Sequence, residues 1–163
     1  MSKEYKNPPA IEAVCEFRLS PETEWDITIP GLIYEKVKEK FPIKEQRTFQ
    51  NVELSEGSPG NIKVQRSERI VFLTEDKKRF IQISPYLLAI NCLRPYIMWD
   101  EFKPNIEHAL RALTDIVDVK GLQRIGIRYI NRIEIPGTDI DLNEYFEFRP
   151  ELGQKLTRNM VRV

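Results

Sequence analysis

Residues 70–93, IVFLTEDKKRFIQISPYLLAINCL, contain three short apolar runs in close succession. The runs occupy 70–74, 80–83 and 87–93, and the charged turn 75–78 separates the first two. Strands joined by turns this short pair in antiparallel fashion. The stretch therefore predicts an antiparallel meander, in which the run 87–93, apolar on both faces, is a central strand covered on both sides.

The residues before this meander predict a strand followed by a helix. Residues 11–19 alternate between two faces, as a half-buried strand does: Ile11, Ala13, Cys15, Phe17 and Leu19 share one face, and Glu12, Glu16 and Arg18 share the other with Val14. Residues 32–41 have the apolar spacing of an amphipathic helix that ends at Pro42. Weaker strand patterns at 49–54 and 62–65 bring the strands between this helix and the next to four or five.

The residues after the meander predict a second helix and a long strand. Apolar residues form a stripe along a predicted helix at 100–117, with Asp100 as N-cap and Pro104 in the first turn. Residues 123–135 then alternate as a strand. The fold class predicted is α+β, a predominantly antiparallel curved sheet with two helices on one face. A TATA-binding-protein-like or helix-grip arrangement is compatible with this order.

The length of 163 residues fits one domain, or one domain and the start of another. We expect the α+β domain to span residues 1–137 and a further segment to begin at 138. A strand-like pattern starts at Leu156 and stops with the chain at Val163, which predicts truncation.

Composition limits the classes of function. The chain is 41% hydrophobic, enough for a folded core, and its 25 basic and 25 acidic residues cancel, which disfavours a protein that binds bulk nucleic acid. The polar N-terminus and the lack of any run near the ~20 apolar residues of a membrane span predict a cytoplasmic protein that is not in a membrane. Cys15 and Cys92 lie in apolar runs and are predicted to be buried free thiols, with a disulfide or redox pair as the alternative.

Sequence signatures of catalysis are missing. The chain has no glycine-rich phosphate loop, no H-E-x-x-H, no C-x-x-C and no G-x-S-x-G motif. The single histidine, His108, has no neighbour in sequence that would orient or activate it. We therefore predict no catalytic residue, no metal and no cofactor.

An arginine row on the last strand is the first candidate site. Arg124, Arg128 and Arg132 recur every four residues, so they share one face about 13 Å apart and would follow the phosphates of a nucleic acid. Glu12 and Glu16 have the same spacing on the first strand. If the two strands are neighbours, the row instead forms ion pairs, and the balanced net charge favours this alternative.

The second candidate is the pair Tyr129 and Asn131 on the apolar face of the same strand. A polar pair within an apolar surface is typical of a small-ligand pocket, since a buried amide must be hydrogen-bonded. A core asparagine satisfied at a bulge or helix contact is the alternative.

The third candidate is the junction between the central strand and the second helix. Asn91, Arg94 and Trp99 lie there, and the free N–H groups of a helix start would bind an anion or a partner. A plain loop whose Trp99 covers the core is the alternative.

Several blocks together resemble a known family. They are NPP at 7–9, EAVCEF at 12–17, PGLIY at 30–34, LAINCLRPY at 88–96 and RIGIRYINRI at 124–133. The chain resembles a sporadically distributed family of prokaryotic proteins of unknown function. The resemblance implies no catalytic residue. It does imply members that continue beyond Val163, and a patchy distribution typical of accessory genes, including defence and toxin-linked cargo.

These features together predict a non-enzymatic accessory protein that recognises a protein partner or a small ligand on its sheet face. Nucleic-acid binding through the arginine row is the first alternative, and an enzyme that uses Tyr129, Asn131 and arginines is the second. Self-association is compatible with all three hypotheses, because an unfinished last strand leaves a sheet edge open to pairing.

Overall fold

The computed structural model describes residues 8–54, 62–96, 98–137, 141, 144 and 145, with backbone alone at 49–54 and 62–67. The chain divides into two units, Met1–Arg132 and Ile133–Val163. The predicted strand from Leu156 lies outside the described residues. All elements below belong to the first unit.

Six strands and two helices follow one another in the predicted order, with four strands between the helices. They are β1 (Ala10–Leu19), α1 (Ile29–Val37), β2 (Ile43–Leu54), β3 (Ile62–Leu73), β4 (Arg79–Ser84), β5 (Leu87–Leu93), α2 (Trp99–Thr114) and β6 (Leu122–Asn131). The strands form one sheet in the order β2-β3-β4-β5-β1-β6, and every neighbouring pair is antiparallel. The predicted α+β class with a predominantly antiparallel sheet is confirmed. In the sheet, β1 lies between β5 and β6.

The predicted start of α1 is wrong by three residues. The helix begins at Ile29 and ends at Val37, whereas the apolar spacing predicted 32–41. Pro30 lies in the first turn, where a helix leaves its N–H groups unbonded and a fixed φ is favourable.

The N-terminal half of α2 also differs from its prediction. The N-cap is Met98, and Asp100 lies inside the first turn, where a carboxylate is favourable near the positive end of the helix dipole. Pro104 is therefore inside the helix and not in its first turn. The side chain of Asn105 donates a hydrogen bond to the Glu101 carbonyl at 2.9 Å, one turn back, close to where Pro104 supplies no N–H.

The helices cover one face of the sheet, which we call the helix face. The core on this face joins both helices to alternate residues of β1, β4 and β5: Ala13, Cys15, Phe17, Leu19, Ile33, Val37, Ile81, Ile83, Leu88, Ile90, Cys92, Phe102, Ile106, Ala109 and Leu113. Cys15 and Cys92 are buried thiols that are not joined in a disulfide, as predicted.

The opposite face, which we call the second face, is also buried along the middle strands. Val71, Leu87 and Ala89 are almost fully buried there. All of β5 except Leu93 is buried, so the prediction of a central strand covered on both sides is confirmed. No helix among the described residues is long and apolar enough to cross a membrane.

Candidate functional site

Strand β6 lies at one end of the sheet and pairs only with β1 among the described strands. Its side chains are exposed along nearly its whole length, in contrast to the buried β5. Leu122, Ile125, Ile127, Tyr129 and Ile130 are among the exposed large hydrophobic residues of the chain. An exposed apolar sheet edge is a typical site of strand pairing.

The backbone polar groups of β6 divide between its two sides. The Leu19 N–H donates to Tyr86 on the β5 side of β1, whereas the Ser20 N–H donates to Gly121 on the β6 side. The backbone N–H and C=O groups of successive residues in an antiparallel strand point to opposite sides. Those of the even-numbered residues of β1 therefore point to β6, where they bond the even-numbered partners. The backbone N–H and C=O groups of Ile125, Ile127 and Tyr129 in β6 therefore point away from the sheet.

The side chains of these three residues lie on the helix face. Their partners in β1 are Phe17, Cys15 and Ala13, which belong to the buried core. Ile125, Ile127 and Tyr129 are nevertheless 60%, 48% and 44% exposed. The apolar rows of the core thus continue one strand beyond the part that the helices bury.

Tyr129 is held in place at this edge. Its hydroxyl lies 3.2 Å from that of Tyr96, and the two rings meet edge to face at 5.4 Å. Tyr96 in turn packs against Phe102 of α2. Burial and the hydrogen bond with Tyr129 raise the pKa of Tyr96 above its ordinary value, so the Tyr96 hydroxyl stays protonated at neutral pH.

On the second face, β6 contributes arginines to a buried carboxylate. Glu16 is 8% exposed, and its Oε1 accepts hydrogen bonds at 2.9 Å from Arg18 Nε and Arg124 Nη2. Burial acts to raise the pKa of Glu16, but the hydrogen bond and charge of Arg18 and the charges of Arg124 and Arg128 outweigh it and lower the pKa. The carboxylate is therefore ionised at neutral pH.

At Arg124, the arginine row thus follows the alternative interpretation, in which neighbouring strands form ion pairs. Strands β1 and β6 are neighbours, and the ion pair of Arg124 with Glu16 is observed. Arg128 and Arg132 are exposed.

A depression lies beside this ion pair. Gly126 is the β6 partner of Glu16, and a Cβ at Gly126 would meet nothing closer than the Nε of Arg124 at 3.9 Å. A cavity of about 400 Å³ surrounds the position, lined by Val14, Glu16, Arg124, Ile125, Gly126, Ile127 and Arg128. Because Gly126 has no side chain, the second face is open beside Glu16.

The predicted pocket with a buried amide at Asn131 is wrong. Asn131 is the last residue of β6 and is exposed, opposite Ala10 where the register of β1 shifts. The prediction of burial is wrong because β6 is the edge strand, whereas α1 and α2 bury the neighbouring strands. Alternation along one strand cannot reveal this placement.

Asn91 is buried within a polar chain on the second face. It accepts a hydrogen bond from Gln82 Nε2 at 2.8 Å and donates to Glu12 Oε1 at 2.6 Å. Gln82 Oε1 also accepts a hydrogen bond from Arg69 Nη1 at 3.1 Å. The polar groups of Asn91 therefore bind other side chains of the sheet.

The junction residues do not form one site. Trp99 is the first residue of α2 and packs against Phe102, a core residue of the helix face. Asn91 lies on the second face, and the backbone N–H of the exposed Arg94 bonds Ile11. The interpretation of this junction as one binding site is therefore wrong, since the sheet separates Asn91 from Trp99.

Sequence reasoning missed a cavity of about 580 Å³ on the helix side of the β2–β4 end. Trp25, Tyr34, Lys44 and Phe72 are among its lining residues, and Lys44 Nζ lies 4.3 Å from the centre of the Tyr34 ring. These residues are far apart in sequence, so no local pattern joins them. No three histidine, cysteine or acidic residues cluster as metal ligands in the described part of the chain.

Comparisons with known proteins give no match: no protein-family model, no curated protein and no solved structure is similar to this chain. The resemblance of the blocks at 7–17, 88–96 and 124–133 to a sporadically distributed prokaryotic family stays a prediction.

Proposed function

We propose that this protein is a non-enzymatic interaction protein that binds a strand of a protein partner along the outer edge of β6. The observation that carries the proposal is the coincidence, at Ile125, Ile127 and Tyr129, of outward backbone groups with exposed apolar side chains. Strand addition at a sheet edge uses both: the backbone groups bind the added strand, and alternate side chains select it.

The energetics favour pairing at this edge. The outward N–H and C=O groups have no partner in β1, and an added strand bonds them without any rearrangement of the sheet. Completing the burial of a half-exposed isoleucine contributes on the order of 1 kcal/mol. Tyr129, fixed by Tyr96, loses little side-chain freedom on binding.

The two other predicted functions have less support. The carboxylate of Glu16 already binds Arg124, which reduces the charge that the arginine row offers to phosphates. Tyr129 and Asn131 are exposed, so they do not enclose a small ligand.

Ile127→Pro tests the proposal. Proline removes an N–H that points outward and is not used in the β1–β6 pairing, so edge strands tolerate it. We expect native mass spectrometry at low salt of the protein purified from its host to show a bound protein chain at fixed stoichiometry, and the Ile127→Pro variant to lose it.

The matched control is Ile27→Ser, which removes an apolar side chain that is 92% exposed and lies outside the sheet. This variant should keep the bound chain, and circular dichroism should show both variants folded. A bound protein chain that survives Ile127→Pro, or a bound nucleic acid in place of protein, would contradict the proposal.

A further inference from the structure

We infer that the strand bound at the β6 edge is β6 of a second copy of this chain, paired antiparallel about a two-fold axis at Ile127. The inference rests on the proposed function and names its partner. It follows from the charges of β6, which permit self-pairing in one central register and oppose it in the other.

Two-fold pairing restricts the registers. An antiparallel strand paired with its own copy places residues opposite each other at equal distances on either side of the axis. The strand Leu122–Asn131 keeps the most pairs when the axis lies at Gly126 or at Ile127, the two residues at its middle. Any other axis leaves more of the strand unpaired.

The arginine row distinguishes these two registers. With the axis at Gly126, Arg124 lies opposite Arg128 of the second copy, and the like charges oppose each other twice. With the axis at Ile127, Arg124 lies opposite Ile130 of the second copy, and Arg128 of the second copy lies opposite Gly126. Only the second register avoids placing arginines directly opposite each other.

The favoured register also brings opposite charges together. Gly126 lies between Glu16 and Arg128 of the second copy. The α-carbons of Glu16 and of that Arg128 are therefore about 10 Å apart, which is two strand spacings. The cavity of about 400 Å³ at Gly126 leaves space for the arginine side chain. Arg18 and Arg124 both donate to Oε1 of Glu16, and Oε2 of the same carboxylate is the acceptor for the incoming guanidinium.

The helix face is complementary in the same register. Ile125 lies opposite Tyr129 of the second copy, and Ile127 meets its own copy on the axis. These are the residues whose backbone groups point outward, so the pairing satisfies all of them. The product is one continuous sheet across two chains.

Cysteine cross-linking tests the register. In this pairing the two copies of residue 127 face each other with α-carbons about 5.5 Å apart, within the range of a disulfide. Ile127→Cys should therefore form a covalent dimer of twice the 19.2 kDa chain mass under mild oxidation.

Ile125→Cys is the matched control. Its two copies are four residues out of register, about 13 Å apart, and should cross-link little. The unmodified chain, whose Cys15 and Cys92 are buried, should not cross-link. Efficient cross-linking of Gly126→Cys with none at residue 127 would overturn the register.

A charge variant tests the same contact without cross-linking. Gly126→Lys places a cation opposite Arg128 of the second copy, and we expect sedimentation to show dimerisation weakened by about tenfold. Thr114→Lys adds the same charge at an exposed position of α2 and should leave dimerisation unchanged. Equal dimerisation by both variants would overturn the contact.

The outcomes separate this inference from the proposed function. A different protein bound at β6 and lost in Ile127→Pro would overturn self-pairing and support the interaction function. A chain that stays monomeric and binds no protein would overturn both.

Discussion

Glu16 shows how a single carboxylate organises the second face of the sheet. It is buried between β5 and β6 and receives hydrogen bonds from Arg18 on its own strand and Arg124 on the next. A buried carboxylate is stable only with such partners. Glu16 therefore offsets the positive charges of Arg18 and Arg124, which would otherwise repel the arginines of a second copy of β6.

Glu16 also predicts how stability depends on pH. Its pKa in the folded chain is below the ordinary value of 4.5, so the folded state holds the ionised form more strongly than the unfolded state does. The contribution is fully present above pH 4.5 and is lost as the pH falls through the lowered pKa. We expect Glu16→Gln to reduce the free energy of unfolding at pH 7 and to flatten its fall between pH 5 and pH 3, as measured by urea unfolding.

Glu22→Gln is the control for this titration, because Glu22 is an exposed residue in the turn after β1. It should follow the unmodified chain at every pH. If Glu16→Gln and the unmodified chain lose stability equally between pH 5 and pH 3, the ion pairs of Glu16 contribute nothing to acid sensitivity.

At the scale of the element, β6 differs from every other strand whose side chains are described. It has the alternation of a half-buried strand, yet both of its faces are largely exposed. The cause is its position: α1 and α2 pack over the core strands, and β6 lies beyond them at the edge. An edge strand with apolar side chains and few charges on one face invites pairing.

Hydrogen exchange measures this edge directly. In the monomer, the amides of Ile125, Ile127 and Tyr129 point outward and should exchange faster than those of Gly126 and Arg128, which bond to β1. Raising the protein concentration should slow the three odd-numbered amides selectively, as NMR of the exchanging amides would show. Equal protection of odd and even residues at low concentration would contradict the assigned direction of the backbone groups.

At the scale of the whole molecule, the equal numbers of acidic and basic residues bear on which kind of partner the chain attracts. A chain with no net charge attracts a polyanion less strongly over long range than a basic chain does. In the proposed pairing, association through β6 depends on backbone hydrogen bonds and apolar contact, with two symmetry-related contacts between Glu16 and Arg128 of the other copy beside Gly126.

Salt dependence therefore separates the candidate functions. Between about 0.05 and 0.5 M salt, we expect the association constant measured by sedimentation to change by less than about tenfold, because screening acts mainly on exposed charges. Binding of single-stranded nucleic acid through Arg124, Arg128 and Arg132 would weaken far more over the same range. A steep loss of association with salt would contradict pairing by backbone and apolar contact.

The sequence alone determined the class of fold and the order of its elements. Alternation at 11–19, the short turns within 70–93 and the apolar stripe at 100–117 are local patterns, and each follows from side-chain spacing along one element. The burial of Cys15 and Cys92 was predictable for the same reason. Helix starts were less predictable, since the N-caps Thr28 and Met98 make no side-chain capping hydrogen bond that a sequence pattern would reveal.

Only the tertiary structure decided which strands are neighbours and which faces the helices cover. The insertion of β1 between β5 and β6 brings Glu16 to Arg124, residues 108 positions apart in the chain. The edge position of β6 exposes Tyr129 and Asn131, which alternation had predicted to be buried. Alternation specifies the two faces of a strand but not what packs on them, because packing partners are set by contacts distant in sequence.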